Sequence, residues 1–412
     1  MDEATVAKSL PLEKTATEGP LQFLAGEASG AFGDLGTFLP IVVGMTQIVG
    51  LDAGTVLLFA GIMNVASGLF FRIPIAVQPM KSIAAVALAG GLTASQVAVG
   101  GLGAGAAVML MGAFGLIAWL DRILPRAVLR GLQFAVGFKL LSSGTQLGLF
   151  ESGSFALKPL LAADGVLVFA AAAVAVLVWR RHKWAALALC AAGFGLAYLT
   201  QGDALHAEPS LWRPSIALSG FSGLGGLWRG ALPQVPMTLL NSVLAVSLLA
   251  TDLFPDRDER AGTTEISVSV GLMNLISCPL GGMPVCHGSG GLAAQHRFGA
   301  RSGVSMVMLG SVKIIAGLFF GAVAVAWMNA FPGALLGVFL LLAGMELARV
   351  SKPWANVRRL AVALTIPLVS LLTGLLIVGF AAGWMICWLL PERWGEVDPT
   401  EKLKNIFSAR AE

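Results

Sequence analysis

Two proline-broken stretches of this chain carry residue types suited to holding an anion. The first reads Ile73-Pro74-Ile75-Ala76-Val77-Gln78-Pro79-Met80-Lys81-Ser82. The second reads Met283-Pro284-Val285-Cys286-His287-Gly288-Ser289-Gly290-Gly291. Each pattern predicts a few extended residues (Ile73 to Val77, Met283 to His287) followed by a helix start. Pro79 suits the first helical position, where no backbone donor is needed, with Gln78 at the cap. Gly288 to Gly291 present backbone amides with no side chain in the way. A helix N-terminus offers unpaired N–H groups and the positive end of its dipole, so two such starts facing each other make an anion site. Lys81 sharpens the case, because a cation in the first turn opposes the dipole and an ionised lysine in a bilayer costs at least ~2.5 kcal/mol. A bound anion offsets both. Two alternatives stand beside this reading: Lys81 pairs with a buried carboxylate such as Asp34 and only holds helices together, and the glycines only serve close helix packing.

Other polar groups sit where hydrocarbon is expected. Residues 27–37 read Glu-Ala-Ser-Gly-Ala-Phe-Gly-Asp-Leu-Gly-Thr, which places Glu27 and Asp34 inside an apolar helix and makes both candidates for function. Gly33 and Gly36 would let that backbone approach a substrate, with Thr37 beside them. Pro233, Pro236, Thr238, Asn241 and Ser242 put polar groups near an expected kink, either for substrate or for helix–helix hydrogen bonds. Lys139 and Glu346 read as structural or interdomain charges. His287 beside Cys286 invites a metal, but no HExxH or CxxC pattern accompanies it, so no metal and no cofactor is expected. No Walker loop is present.

The elements that must position these residues follow from composition. The 412 residues are 56% hydrophobic and 12% charged, and the mean hydropathy is +0.81. A soluble domain carries roughly 25% charged residues. An ordinary cytosolic enzyme, a disordered chain and a secreted disulfide scaffold are thereby excluded, and a polytopic membrane protein remains. Segments of alternating polarity that would mark a membrane β-barrel are missing. The 51 glycines suit close helix contacts. The net charge of +4 is scattered over short loops and is no nucleic-acid signal. Cys190, Cys278, Cys286 and Cys387 lie in apolar stretches and read as buried thiols. Residues 1–20 lack the apolar core of a cleavable signal peptide, and none is expected.

Breakers divide the apolar sequence into helices 1 (about 21–49), 2 (53–71), 3 (79–92), 4 (94–120), 5 (126–149), 6 (164–180), 7 (184–200), 8 (232–254), 9 (263–281), 10 (288–300), 11 (302–328) and 12 (333–349). The last stretch, 361–390, is one long span or two short ones turning near Gly379 to Gly383. With fourteen spans and a cytoplasmic N-terminus, 20 of the 27 Lys and Arg residues are cytoplasmic and 3 lie outside, following the positive-inside rule. An internal repeat supports this count. Gly61-Ile62-Met63-Asn64 with Pro74 recurs as Gly271-Leu272-Met273-Asn274 with Pro284, an offset of 210. Leu124-Pro125 with Gly137 recurs as Phe331-Pro332 with Gly344, an offset of 207. Seven spans per half is odd, so the second half enters the membrane upside down, a transporter signature.

At these residues a resemblance can be named. GDLGTFLPI at 33–41, PIAVQPMKSIAAVA at 74–87, LLNSVLAVSLLATDLFP at 239–255 and MPVCHGSGGLAAQHRFGARSG at 283–303 resemble the molybdate transporter family. This is a sulfate-permease-like branch known from plants, algae and bacteria. The likeness spans about 21–390 and implies the all-α seven-plus-seven inverted repeat of sulfate and nucleobase permeases, with short extended pieces before half-helices 3 and 10. It also implies a core (21–120 and 232–330), a gate (121–200 and 331–390), a connection (201–231), cytoplasmic tails (1–20 and 391–412), a homodimer and an elevator-like motion. The large C-terminal regulatory domain of sulfate permeases is not expected, as only about 22 residues follow Pro391.

The expected function is secondary transport of a tetrahedral oxyanion, molybdate first. A sulfate transporter or anion exchanger is the nearest alternative, and a membrane-embedded enzyme or receptor is a more remote one. Expected ligands are the amides of Ser289 to Gly291 and of the helix 3 start, the side chains of Gln78, Ser82, Thr238 and Asn241, and the charge of Lys81. Gly33, Thr37, His287 and Gly288 complete the expected site. Importing a dianion against 100 mV, inside negative, costs about 4.6 kcal/mol. Cotransport or exchange is therefore expected, with Glu27, Asp34 and His287 as proton carriers. The composition suggests a bacterial inner membrane, with lipid and the oxyanion as partners and no nucleic acid.

Overall fold

A computed structural model of the chain describes residues 20–151, 154–178, 184–202, 211–212, 223–256, 260–355 and 357–390. The tails 1–19 and 391–412, most of the connection, and Arg180, Arg181, His182, Lys183, Arg213 and Arg257 of the charge argument lie outside the described residues.

Seven helical segments precede the connection. They are α1 (Pro20–Gln47), α2 (Ala53–Phe71), α3 (Lys81–Leu88), α4 (Ala94–Ala113 continuing as Leu116–Ile123), α5 (Arg126–Leu149), α6 (Val166–Val178) and α7 (Ala185–Gln201). Seven follow it: α8 (Leu227–Leu253), α9 (Thr263–Ser277), α10 (Ser289–Arg297), α11 (Val304–Phe319 and Gly321–Ala330), α12 (Gly333–Ser351), α13 (Val357–Thr373) and α14 (Leu376–Leu389). Side-chain caps set some of the ends. Asp52 accepts from the Thr55 amide at 2.7 Å to start α2, and Thr93 with Gln96 forms a capping box on α4.

Several helices are broken where sequence alone suggested continuity. A 3-10 turn, Phe32–Asp34, interrupts α1. The two prolines of α8 remove backbone donors, and π-helical turns flank them at Leu227–Ala231 and Thr238–Leu244. The single spans expected over 94–120 and 302–328 are each two pieces. Gly115, at φ +74°, breaks α4, and α11 bends by 119° beside Phe320. The stretch 361–390 resolves into two helices, α13 and α14. Their turn is at Gly374, at φ +71°, and not at Gly379 to Gly383. Those two glycines instead let α14 fold back on Ile366 and Ser370 of α13.

Before the two half-helices the chain is extended: β1 (Val77–Pro79) pairs antiparallel with β2 (Val285–His287), with Val77 opposite His287, Gln78 opposite Cys286 and Pro79 opposite Val285. The expected helix start at Pro79 is therefore corrected. Gln78 and Pro79 are strand residues, Met80 is the N-cap, and α3 begins at Lys81. The strand wins because the Met80 amide bonds the Pro284 carbonyl at 2.9 Å, carrying the ladder past Pro79. The repeated asparagines fasten the strands. Asn64 Nδ2 donates to the Ala60 carbonyl while its Oδ1 accepts from the Val77 amide at 3.3 Å. Asn274 Oδ1 accepts from the Val285 amide at 2.9 Å and its Nδ2 donates to the Val285 carbonyl at 2.6 Å.

Two helix pairs, α2–α11 and the repeat-related α5–α12, meet through glycines seven residues apart. Gly54, Gly61 and Gly68 of α2 face Gly317, Gly310 and Gly303 along α11. Gly137 and Gly144 of α5 face Gly344 and Gly337 of α12. In the repeat mate of the α2–α11 pair, Gly101, Gly105 and Gly112 of α4 receive Cys278, Asn274 and Ser267 from α9 and the turn after it. A Cβ on Gly61 would lie 2.6 Å from the Gly310 carbonyl oxygen. Gly61→Ala should therefore lower stability by about 1–3 kcal/mol. Gly195→Ala, with open space around it, should be neutral or stabilising by a few tenths. Thermal unfolding of both purified variants checks the difference, and equal melting temperatures would contradict the ladder.

Candidate functional site

Side chains alternate across an extended pair, so the ladder has two faces. On one face Gln78, 1% exposed, reaches α1. Its Nε2 donates to Asp34 Oδ1 and to Thr37 Oγ1 at 2.9 Å, and the Thr37 hydroxyl donates to the same Asp34 oxygen. Gln78 Oε1 is buried with no hydrogen-bond partner. It lies against Gly288, where any Cβ would collide with it, and a Cβ on Gly291 would sit 2.7 Å from Gln78 Nε2 and 3.1 Å from Asp34 Oδ2. Glycine at 288 and 291 is thus what lets the start of α10 approach the Gln78–Asp34 pair.

The two half-helix N-termini are not equivalent. At α3 the amides of Ser82 and Ile83 donate to Gln234 Oε1 of α8, at 2.8 and 3.3 Å, and Gln234 Nε2 donates to Thr238 Oγ1 at 2.9 Å. At α10 the first intrahelical bond runs from Leu292 to the Gly288 carbonyl. The buried amides of Ser289, Gly290 and Gly291 have no partner among the described residues, as the first turn of a helix dictates when nothing caps it. The Ser289 hydroxyl donates to Asn241 Oδ1 at 2.9 Å, tying α10 to α8. Lys81, partly buried at the first position of α3, makes no ion pair among the described residues, with Asp34, Cys286 and Lys139 in electrostatic reach. Leu140 of α5 closes over Gly290, whose Cβ would be 2.7 Å from Cδ1.

The structure therefore brings together Asp34, Thr37, Gln78, Lys81, Gly288, Ser289, Gly290, Gly291 and Asn241, with Ser82 and Thr238 joined through Gln234. Three expected members lie elsewhere. His287 projects from the other face of β2, where Nδ1 meets the Ala76 carbonyl at 3.2 Å, Nε2 meets Ser269 Oγ at 3.0 Å, and the ring lies edge-on to Phe71. Gly33 packs on the far end of α10, its Cβ position 2.9 Å from the Ala294 carbonyl oxygen. Glu27 caps the start of α11, accepting from the amides of Arg301 at 2.8 Å and Ser305 at 3.1 Å.

Gln234 and Lys313 were not anticipated. Gln234 stands 207 residues after Glu27, and the repeat applied to helix 1 locates it. Lys313 of α11 is 5% exposed, its Nζ 3.5 Å from the centre of the Phe38 ring. It lines a narrow cleft of about 10 Å³ with Asp34, Phe38 and Leu309. Of the charges taken as structural, Glu346 on α12 lies 3.7 Å from His296 of α10, and Lys139 lies near Lys81. Arg130 of α5 also pairs with Asp252 of α8.

Comparison with known proteins bears on the fold and the family. The fold is similar to the transmembrane domain of the cyanobacterial bicarbonate transporter BicA (TM-score 0.53, 16% identity, 88% of this chain and 97% of that one). It is also similar to the murine solute carrier 26 family member A9 anion transporter in its inward-facing state (TM-score 0.60, 13% identity, 94% and 72%). These likenesses bear out the seven-plus-seven membrane fold. A family profile described as "Molybdate transporter of MFS superfamily" matches residues 26–140 and 226–347. The chain is 38% identical to molybdate transporter 2 of Arabidopsis thaliana, over 90% of this chain and 88% of that protein. It is 34% identical to molybdate transporter 1 of the same plant (91% and 90%) and of Chlamydomonas reinhardtii (82% and 86%). The chain belongs to the molybdate transporter family.

Proposed function

We propose that this multi-pass membrane protein is a secondary active transporter of a tetrahedral oxyanion, molybdate before sulfate, that binds at the start of α10. The observation that carries this reading is the row of unpartnered, buried amides at Ser289, Gly290 and Gly291. Each unsatisfied buried group costs about 1–3 kcal/mol. An ion such as molybdate or sulfate, all acceptor oxygens and two negative charges, satisfies several at once, and the dipole of α10 and the charge of Lys81 favour it. Gln78 and Ser289 complete the rim. At α3, where Gln234 occupies the amides, the contribution to the ligand is Lys81 and not the backbone.

Sulfate shares charge and shape with molybdate, so size is what separates them here. The names of the relatives support molybdate. The core comprises α1–α4 with α8–α11, and the gate α5–α7 with α12–α14. Leu140 over Gly290, Arg130–Asp252 and Glu346 near His296 are contacts between them that alternate access by an elevator motion must break and remake. The 20-to-3 distribution of Lys and Arg supports a cytoplasmic N-terminus. A homodimer in a bacterial inner membrane is the assembly and setting that fit.

Two measurements test this reading. Proteoliposomes of the purified protein should take up molybdate saturably, with little inhibition by a hundredfold excess of sulfate; uptake abolished by sulfate would make the protein a general oxyanion carrier. Lys81→Ala should lose molybdate binding by about ten- to a hundredfold, the worth of a charge-assisted contact in a buried site, while eluting and melting as a folded protein. Wild-type affinity in that variant would remove Lys81 from the site.

A further inference from the structure

Gln78 is a buried amide with one end satisfied twice and the other not at all. Its Nε2 is held by Asp34 and Thr37 of α1, while Oε1, with no partner, is turned toward the glycine start of α10. An acceptor oxygen facing the seat of an oxyanion repels it. The orientation is dictated by Asp34, because an ionised carboxylate only accepts hydrogen bonds and so demands the NH2 end of the amide. A protonated Asp34 is a donor and demands the carbonyl end instead.

We propose that Asp34 and Gln78 form the proton-coupling device of the transporter, with the Gln78 carboxamide as the part that turns. This rests on the oxyanion reading of the α10 site. A proton from the aqueous side that admits the anion adds to an Asp34 carboxylate oxygen. The carboxamide turns by half a revolution, and Oε1 accepts from the new carboxylic O–H. Nε2 now faces α10 and donates to the anion. No covalent bond other than the O–H forms or breaks, and proton and anion are released together on the other side. One proton thus accompanies each dianion.

The charged surroundings suit the exchange. Asp34 is faced by Lys81 of α3 and Lys313 of α11, while α10 presents only Gly291. Lys139 of α5 stands behind Lys81. Asp34 is the acidic group in reach of Lys313; α2 and the described pieces of α11 carry no acid, and Glu27 of α1 is spent on the α11 amides. Lys81, Lys313 and Asp34 together carry +1; a dianion brings this group to −1, and a proton on Asp34 brings it to neutrality. The narrow cleft shared with Lys313, with room for about one water, lies against the carboxylate.

The test is calorimetric titration of the full-length purified protein with molybdate, in two buffers of different ionisation enthalpy and across pH. Wild type should take up close to one proton per molybdate, and its affinity should fall about tenfold per pH unit above the transition, the slope of one linked proton. In Asp34→Asn position 34 carries no titratable group and can pair with either end of the Gln78 amide, so affinity should become flat with pH and proton uptake should vanish. Gln78→Met should bind more weakly and also lose the linkage, although Asp34 is present. Proton uptake of zero in wild type overturns the device, as does a wild-type proton count in either variant. Failure of wild type to bind molybdate at all would instead overturn the oxyanion reading on which it rests.

Discussion

Hydrocarbon offers no water to an interrupted backbone, and the rest of this structure is arranged around that constraint. Breaking two helices in mid-membrane exposes N–H and C=O groups that must be satisfied within the protein. The β1–β2 ladder satisfies one set. Asn64, Asn274 and the Ser67 hydroxyl, which donates to the Ile75 carbonyl at 2.7 Å, satisfy another. Gln234 reaches in from α8 to hold the start of α3. After this accounting the amides at the start of α10 stand out, and they lie beside Gln78, Asp34 and Lys81. The place where the internal accounting fails is the place proposed for the oxyanion.

The scaffold achieves this with two copies of one plan. Glycine ladders let α2 cross α11 and α5 cross α12 with backbones in close contact, and the β1–β2 pairing joins the starts of the two half-helices. Equivalent positions have then diverged in charge. Positions 34 and 241, offset by 207, are Asp and Asn. Asp34 grips Gln78 on β1, and Asn241 grips Ser289 on α10. Positions 27 and 234 are Glu and Gln, one capping α11 and the other α3. In each pair the first half holds an acid and the second its neutral isostere. Symmetry builds the cradle, and the acid-to-amide differences are what the proposed anion and proton sites rest on.

Much of this was readable in the sequence, for physical reasons that can be named. Helices over 53–71 and 126–149 were bounded to the residue because Asp52, Arg72 and Pro125 bound hydrophobic runs. The repeat was visible because the Asn and Pro of each half have structural duties that no other side chain performs. The residues of the proposed anion site stood out because glycines, a lysine and broken helices in an apolar context have few other uses. What stayed hidden depends on register and on distant partners. A strand turns its side chains over every residue, so whether Cys286 or His287 faces the site is decided by the pairing with β1. Pro79 fits a helix start and a short strand equally well, and only the Met80–Pro284 bond decides. Glu27 reads as functional until the α11 amides arrive from 274 residues away. The turn at Gly374 is marked only by Thr373 within an otherwise apolar run, and Gly379 and Gly383 offered the same signal nearby.

The central claim is a position: the oxyanion sits between the first turn of α10 and the Gln78–Lys81 side of the crossing. Molybdenum marks that position directly through its anomalous X-ray scattering. A crystal of the protein grown with molybdate should show one strong anomalous peak within contact of the Ser289, Gly290 and Gly291 amides. A peak at the start of α3 with Gln234 displaced, or in the cleft beneath Lys313, with none at α10, would contradict the account.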